Sequence, residues 1–307
     1  MNIEAGESLG KDKGREMSLT EADMTLSLHD MRSEIKELRA ANRKDRSLDR
    51  ERRLQSLRQR AGELLVQDSV PAQLPLASVA DHFVGCNGLP EIHARDLNAE
   101  IMASAILHHG VLIVKGLYDK TQTDHLLNIA TNRPELSREE EAFLFATPSE
   151  AFELFEIFDD SGLIDTVREY HDGNTVVFAE RLKIHRRLAK HKAKAGLPWH
   201  QDINYFGNKC YAVNCWAAVT HCGVDNPGLG FIPRREEMSI GWDPASGQPR
   251  LTEGVDTLVS QIPEIIKTTP EVQIKFEPGD AALFDEMTIH RTAGRDFKVP
   301  QQIVTTS

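Results

Sequence analysis

The sequence predicts an α+β fold in which helices dominate the first half and short antiparallel strands, forming a sandwich or barrel of the jelly-roll kind, dominate the second. Apolar residues follow helical spacing from Leu97 to His109, and Gly110 ends this helix before the apolar, β-branched run Val111 to Val114. After Gly173 the chain changes to short β-rich runs separated by turn sequences such as Pro278-Gly279-Asp280. Helices followed by many short strands are typical of α+β proteins with an antiparallel sheet core.

Further helices and strands complete this prediction. Helical spacing covers Thr121 to Ala130 and Ser149 to Tyr170, and the second segment has a wide apolar stripe that we expect to pack in the core. The predicted strands of the second half are Thr175 to Ala179, Tyr211 to Thr220, Gly230 to Pro233, Val272 to Phe276 and Ala281 to Phe284.

The first 68 residues predict an extension that is separate from the main domain at residues 69–307. Residues 1–20 are polar and show no periodicity, so we expect a disordered tail. Two apolar series follow in different frames, and they predict two amphipathic helices or one interrupted helix. The first series is also a candidate surface for self-association into a homo-oligomer. The two series are Met24, Leu28, Met31, Ile35 and Leu38, then Leu54, Leu57, Ala61 and Leu64.

The stretch from residue 41 to residue 60 is basic within an acidic protein. It either contacts a polyanion or forms a solvated helix face that pairs with acidic residues of the main domain or of a second subunit, and the second explanation is favoured. The net charge of the whole chain is -11. This charge argues against a nucleic-acid partner, because phosphate binding needs a concentrated positive surface.

Length and composition indicate an ordinary globular protein. The 307 residues allow one large domain with an appendage, and 40% hydrophobic and 27% charged residues are close to average usage. The chain has no run of about 18 apolar residues, and its amino terminus lacks the apolar segment of a secretory signal. We therefore expect a cytoplasmic protein without a membrane partner.

A candidate metal site lies in the β-rich half. His200 and Asp202 are two residues apart, so an extended strand places both side chains on one face. His290 follows the apolar run Ala281 to Phe284, at a distance along the chain that lets a returning strand lie beside the first. Two imidazoles and one carboxylate leave three octahedral positions open, as in non-haem iron(II) oxygenases. On spacing alone, ordinary polar residues at strand ends explain the pattern equally well.

The same half contains four ordered motifs. They read LPWHQD at residues 197–202, NCWAAVT at 214–220, NPGLGFIP at 226–233 and EPGDAALFDEMTIHRT at 277–292. Together they resemble the phytanoyl-CoA dioxygenase family of iron(II)/2-oxoglutarate-dependent oxygenases. The segment GVLIVKGLY at residues 110–118 is similar to the opening strand of that family, so the resemblance covers roughly residues 100 to 307.

The resemblance implies a double-stranded β-helix core in which His200, Asp202 and His290 bind Fe(II). It also implies that Gln201 and Trp216 line the pocket of the co-substrate 2-oxoglutarate. Related halogenases have a small residue in place of the metal-binding carboxylate, which leaves room for chloride. The presence of Asp202 therefore favours hydroxylation or another oxidation over halogenation.

One position departs from the family pattern. The family has an arginine about ten to twelve residues after the second histidine, and its planar guanidinium pairs with the far carboxylate of 2-oxoglutarate. This chain has Lys298-Val299-Pro300-Gln301-Gln302 there, and a glutamine cannot neutralise a carboxylate. Arg295 is the favoured replacement. The alternatives are Arg291, Arg181 and Lys183, or a different co-substrate.

The predicted function is an iron(II)- and 2-oxoglutarate-dependent dioxygenase that uses O2 to oxidise, with hydroxylation favoured, a C–H bond of a small-molecule metabolite. His200, Asp202 and His290 are its predicted catalytic metal ligands. Desaturation and epimerisation are other outcomes of the same chemistry. Two alternatives stay open: a non-catalytic β-helix binding protein of the same family, and an iron oxygenase that does not use 2-oxoglutarate.

Overall fold

A computed structural model describes most of the chain and divides it into two compact units, residues 1–72 and 73–307. The predicted tail, Arg181, Arg295 and Gln301 lie outside the described residues. The described ranges are 25–67, 79–132, 141–145, 147–173, 182–188, 197–206, 211–224, 226–236, 242–243, 248–249, 251–293 and 302–306, with the single positions 175, 177 and 240.

Two helices make up the described part of the first unit, α1 (Leu28–Lys44) and α2 (Leu48–Gln67). Ser27 caps α1, because its side chain accepts a hydrogen bond from a backbone N–H of the first turn. Between the helices, the side-chain oxygen of Asn42 accepts a hydrogen bond of 2.7 Å from the guanidinium of Arg50. The described part of this unit thus has two helices, the first of the two arrangements that the apolar series allowed.

The apolar faces of α1 and α2 pack on each other. Met31 and Leu57 are fully buried, Ala61 is nearly so, and Leu38 and Leu64 are partly buried around them. Full burial of a Leu or Met side chain stabilises a fold by about 1.5–3 kcal/mol. The face considered for self-association is therefore used within one chain, and the structure gives no support to a homo-oligomer formed through it.

The second unit mixes helices and strands. Its helices are α3 (Ala99–His109), α4 (Lys120–Asn132), α5 (Pro148–Asp160), α6 (Leu163–Tyr170), α7 (Ile203–Phe206) and α8 (Leu251–Thr268), and a short 3-10 helix covers Ala94–Asp96. Its strands are β1 (Glu91–His93), β2 (Val111–Lys115), β3 (Glu141–Phe145), β4 (Lys183–Leu188), β5 (Val213–Ala218), β6 (Gly228–Arg235), β7 (Trp242–Asp243), β8 (Gln248–Pro249), β9 (Val272–Gln273), β10 (Ala281–Asp285), β11 (Thr288–Ala293) and β12 (Gln302–Thr306).

The predicted helix and strand around Gly110 are confirmed. Asn98 caps α3 with its side chain, and Gly110 ends the helix at a φ of 83°, in the left-handed region that favours glycine. Gly110 also lies against β6, because a Cβ there would stand 2.6 Å from the carbonyl oxygen of Arg234. The chain then enters β2, in which residues 111–114 are fully buried.

Two sheets form the core of the second unit. A seven-stranded sheet has the order β1-β2-β10-β5-β12-β4-β3, and a three-stranded sheet has the order β11-β6-β9. In the large sheet β1 and β2 run parallel, and the other described neighbours run antiparallel. The predicted class, a sheet core with flanking helices, is confirmed. No described helix has the length and apolar character needed to span a membrane.

Side chains of the large sheet alternate between two faces. On one, the helix face, Leu112, Ile184 and Leu283 are buried in a cluster with the flanking helices. On the other, the inner face, Phe284 packs against Phe231 of β6, with 5.4 Å between ring centroids. The inner face is therefore turned towards the three-stranded sheet.

Several elements differ from the prediction. Ser149 to Tyr170 is two helices, because Gly162 takes a φ of 73° between α5 and α6. The sequence patterns did not predict the helices α7 and α8, the second of which contains Pro263, nor the strands β1, β3, β4, β7, β8, β11 and β12. Most of the predicted strand Thr175 to Ala179 lies outside the described residues. The polar strand β4, KIHRRL, resembles a solvated loop in sequence, and only its neighbours in the sheet define it.

Candidate metal centre

The structure brings the three predicted ligands together. One ligand atom from each of His200, Asp202 and His290 lies within 4.8 Å of the other two. The Nε2 atom of His200 is 3.7 Å from one carboxylate oxygen of Asp202, and that of His290 is 3.8 Å from the other. Separations of this size suit one shared ion, and two imidazoles with one carboxylate leave coordination positions open for further ligands.

Backbone pairing places the histidines side by side although they are far apart in the chain. The N–H of His200 donates to the carbonyl of His290 at 3.0 Å, and the N–H of His290 donates to the carbonyl of His200 at 3.1 Å. The N–H of Thr292 also donates to the carbonyl of Leu197 at 3.1 Å. Residues 197–200 thus lie beside β11 as an additional edge of the small sheet, with Asp202 just beyond.

Both imidazoles are held in the tautomer that binds a metal through Nε2. The Nδ1 atom of His200 is 2.7 Å from the carbonyl oxygen of Pro198, and that of His290 is 3.0 Å from the carbonyl oxygen of Thr288. Because a carbonyl oxygen can only accept, each Nδ1 carries the proton and donates it. The lone pair of each Nε2 then faces the centre of the three side chains.

The surroundings of the histidines are buried and largely apolar. His200 and His290 are buried, and the ring of His290 lies 4.6 Å from that of Phe284 and 6.3 Å from that of Phe231. Burial, and secondly the neighbouring His290, lowers the pKa of His200 to about 4. At neutral pH its imidazole is therefore uncharged, which is the form that coordinates a metal.

Asn214 holds the carboxylate ligand in place. It lies on β5, and its side-chain amide donates a hydrogen bond to Oδ2 of Asp202. Asn214 belongs to the motif NCWAAVT, which by itself predicted no role for this residue. A signal was present, because Asn214 stands two residues before Trp216 and therefore shares its strand face.

Replacing Asn214 with alanine is expected to weaken iron(II) binding by about 10- to 100-fold, because an outer hydrogen bond that orients a ligand contributes on this scale. Anaerobic iron titration measures the effect. Asn128→Ala, in an exposed position of α4, is the matched control and should bind iron as the unchanged protein does. Equal affinity in Asn214→Ala and Asn128→Ala would show that this hydrogen bond does not support the metal.

Gln201 stands between His200 and Asp202 in the sequence, and its side chain is fully buried. Its amide nitrogen donates to the carbonyl of Met287 at 2.7 Å, and its amide oxygen accepts from the N–H of Ile240 at 2.8 Å. Both ends therefore tie the ligand segment to neighbouring backbone. Trp216 is partly buried, with its ring 5.0 Å from that of Phe276. For Gln201 and Trp216, contact with a co-substrate stays a prediction.

Two of the four candidate co-substrate anchors lie among the described residues. Arg291 donates to both carboxylate oxygens of Glu271, at 3.0 and 2.7 Å, and its guanidinium lies 4.9 Å from the ring centroid of Trp199. It follows His290 in β11 and so points to the opposite face of the strand. Lys183 is the first residue of β4, whereas Arg181 and Arg295 lie outside the described residues.

Three solved structures are among those similar to this chain. The epimerase SnoN in complex with Fe3+, alpha ketoglutarate and nogalamycin RO is 17% identical, with coverage of 68% of this chain and 81% of that chain and a TM-score of 0.45. AviO1 from Streptomyces viridochromogenes Tue57 is 14% identical, with coverage of 68% and 93% and a TM-score of 0.47. EctD from S. alaskensis with 2-oxoglutarate and 5-hydroxyectoine is 14% identical, with coverage of 78% and 84% and a TM-score of 0.48.

A family profile gives the firmer result. Residues 106–295 match the phytanoyl-CoA dioxygenase (PhyH) family, whereas no curated protein matches the chain. The match includes His200, Asp202 and His290 and spans more than half of the 307 residues. The chain therefore belongs to the phytanoyl-CoA dioxygenase family of iron(II)/2-oxoglutarate-dependent oxygenases.

Proposed function

We propose that this protein hydroxylates a C–H bond of a small-molecule metabolite, with iron(II) bound by His200, Asp202 and His290 and with 2-oxoglutarate and O2 as co-substrates. The observation that carries the proposal is the convergence of two Nε2 atoms and one carboxylate in a chain of this family. This donor set with open positions is typical of non-haem iron(II) oxygenases.

Hydrogen bonds with surrounding residues orient each of the three ligands. The carbonyls of Pro198 and Thr288 hold both imidazoles in the Nε2-binding tautomer, and Asn214 orients the carboxylate of Asp202. The rings of Phe231 and Phe284 lie against His290 and exclude water from that side of the site. When bound, iron(II) supplies the oxidation, in which one oxygen atom of O2 enters the substrate as hydroxyl and the other enters succinate, with release of CO2.

We further propose that the two sheets form a double-stranded β-helix, or jelly roll. From β4 onwards the chain alternates between sheets: β4 is in the large sheet, residues 197–200 pair with the small one, β5 returns to the large one, and β6 and β9 follow in the small one. Then β10, β11 and β12 alternate again. We assign the oxygenase domain to residues 69–307 and the helical extension to residues 1–68, and the compact units support this division.

Anaerobic titration of the protein with iron(II) and 2-oxoglutarate tests the function. We expect a metal-to-ligand charge-transfer band that requires both additions, because the 2-oxo acid must chelate the protein-bound metal. A protein that binds iron but shows no such band would be an iron oxygenase that does not use 2-oxoglutarate. A protein that binds neither would be a non-catalytic member of the family. Succinate release with a panel of metabolites then identifies the substrate.

A further inference from the structure

We propose that Lys183 supplies the positive charge that binds the distal carboxylate of 2-oxoglutarate in this protein. The inference rests on the proposed function and deepens it. The chain lacks an arginine at the position where its family has one, and Gln301 and Gln302 stand there instead. A buried carboxylate without a positive partner is costly, so another cation is needed if the co-substrate is the same.

The register of the large sheet places Lys183 level with Trp216. Ile184 pairs with Thr306 of β12, and Thr306 pairs with Ala217 of β5, so these three residues form one row across three strands. Because β4 and β5 both run antiparallel to β12, they run parallel to each other. One residue earlier on each strand stand Lys183 and Trp216, which therefore share the next row. They are two strands apart, which is roughly 10 Å between Cα atoms.

The alternation of side chains along β4 turns Lys183 to the inner face. Ile184 is fully buried in the helix-face cluster, and Arg186 donates to the carbonyl of Ala130 of α4 at 3.4 Å. Ile184 and Arg186 therefore face the helices, and Lys183, which precedes Ile184, faces the other way. Lys183 is partly buried there.

The inner-face row of Lys183 lies beside the metal centre. Asn214, which donates to Asp202, is the next inner-face residue of β5 before Trp216, about 7 Å along the strand. A molecule of 2-oxoglutarate that chelates the metal through one end carries its second carboxylate several ångströms away. The flexible stem of a lysine in the neighbouring row can bring its ammonium group to such a position.

Two other described arginines are paired with carboxylates. Arg235 forms an ion pair with Asp285, and Arg291 forms one with Glu271. Neither arginine is therefore a candidate for this role.

Binding of two 2-oxo acids to the iron(II) protein tests this assignment without turnover. 2-Oxopentanoate has the chain length of 2-oxoglutarate but a methyl group in place of the distal carboxylate, and both chelate the metal in the same way. Charge-transfer titration of Lys183→Gln is expected to show a loss of affinity for 2-oxoglutarate of roughly 10- to 100-fold, with unchanged affinity for 2-oxopentanoate. Lys183→Arg should keep most of the affinity for 2-oxoglutarate.

Arg186→Gln is the matched control, because it removes a positive charge from the helix face of the same strand, and it should bind both acids as the unchanged protein does. Iron(II) binding verifies that each variant is folded, and Lys183→Met, with its unbranched stem, replaces Lys183→Gln if that variant fails this check. Full affinity of the uncharged variant for 2-oxoglutarate would overturn the assignment and indicate Arg181 or Arg295. Absence of the band in the unchanged protein would instead overturn the proposed function.

Discussion

Replacing His200 with alanine is expected to abolish 2-oxoglutarate-dependent succinate formation and to weaken iron(II) binding by more than about 100-fold, beyond the loss typical of an outer-sphere change. Of the three candidate ligands, the variant keeps His290 and Asp202, and it removes the ring whose Nδ1 donates to the carbonyl of Pro198. Iron titration and succinate release measure the two effects.

His125→Ala is the control for this experiment, because His125 lies on α4 with half of its side chain exposed and pairs with Glu153. It should keep iron binding and activity. If His200→Ala formed succinate at the rate of His125→Ala, the assignment of His200 as a metal ligand would be wrong.

Replacing Arg235 with methionine is expected to lower the free energy of unfolding by about 3–5 kcal/mol, because it leaves the carboxylate of Asp285 buried without its positive partner. The two side chains form an ion pair and are 10% and 3% exposed. Burial raises the pKa of Asp285 even with Arg235 beside it, so the ionised carboxylate is already costly in this position. Urea unfolding of both proteins gives the difference.

Two further variants separate a buried-charge effect from a general loss of packing. The double variant Arg235→Met with Asp285→Leu removes both charges and should regain most of the lost stability. Arg168→Met, which removes an exposed partner of Asp165, should change the stability by less than about 0.5 kcal/mol. A double variant no more stable than Arg235→Met would contradict the buried-charge explanation.

The ion pair between Arg235 and Asp285 is also connected to the candidate metal centre. The Oδ1 atom of Asp285 accepts from the N–H of Met287 at 3.0 Å and from the hydroxyl of Thr288 at 3.2 Å. The carbonyl of Thr288 in turn accepts from Nδ1 of His290. Loss of Arg235 is therefore expected to disturb the turn that precedes the second histidine ligand.

The sequence predicted those helices and strands that depend on residues close together in the chain. The helix that ends at Gly110 and the strand that follows it were predicted because a left-handed glycine and a β-branched apolar run act within a few residues. The strand β4 was missed because its sequence is polar, and pairing with β3 and β12 makes it a strand. α8 contains a proline, which obscures a helical pattern.

The three candidate ligands were predicted from the sequence, since the residue types, their spacing and the order of the motifs are properties of the chain alone. Three contacts became apparent only in the folded protein: residues 197–200 lie beside β11, Asn214 reaches Asp202, and Glu271 holds Arg291. Each of these contacts joins residues of separate segments of the chain. Their partners depend on the register and face of each strand in the sheet, which no local pattern along the chain specifies.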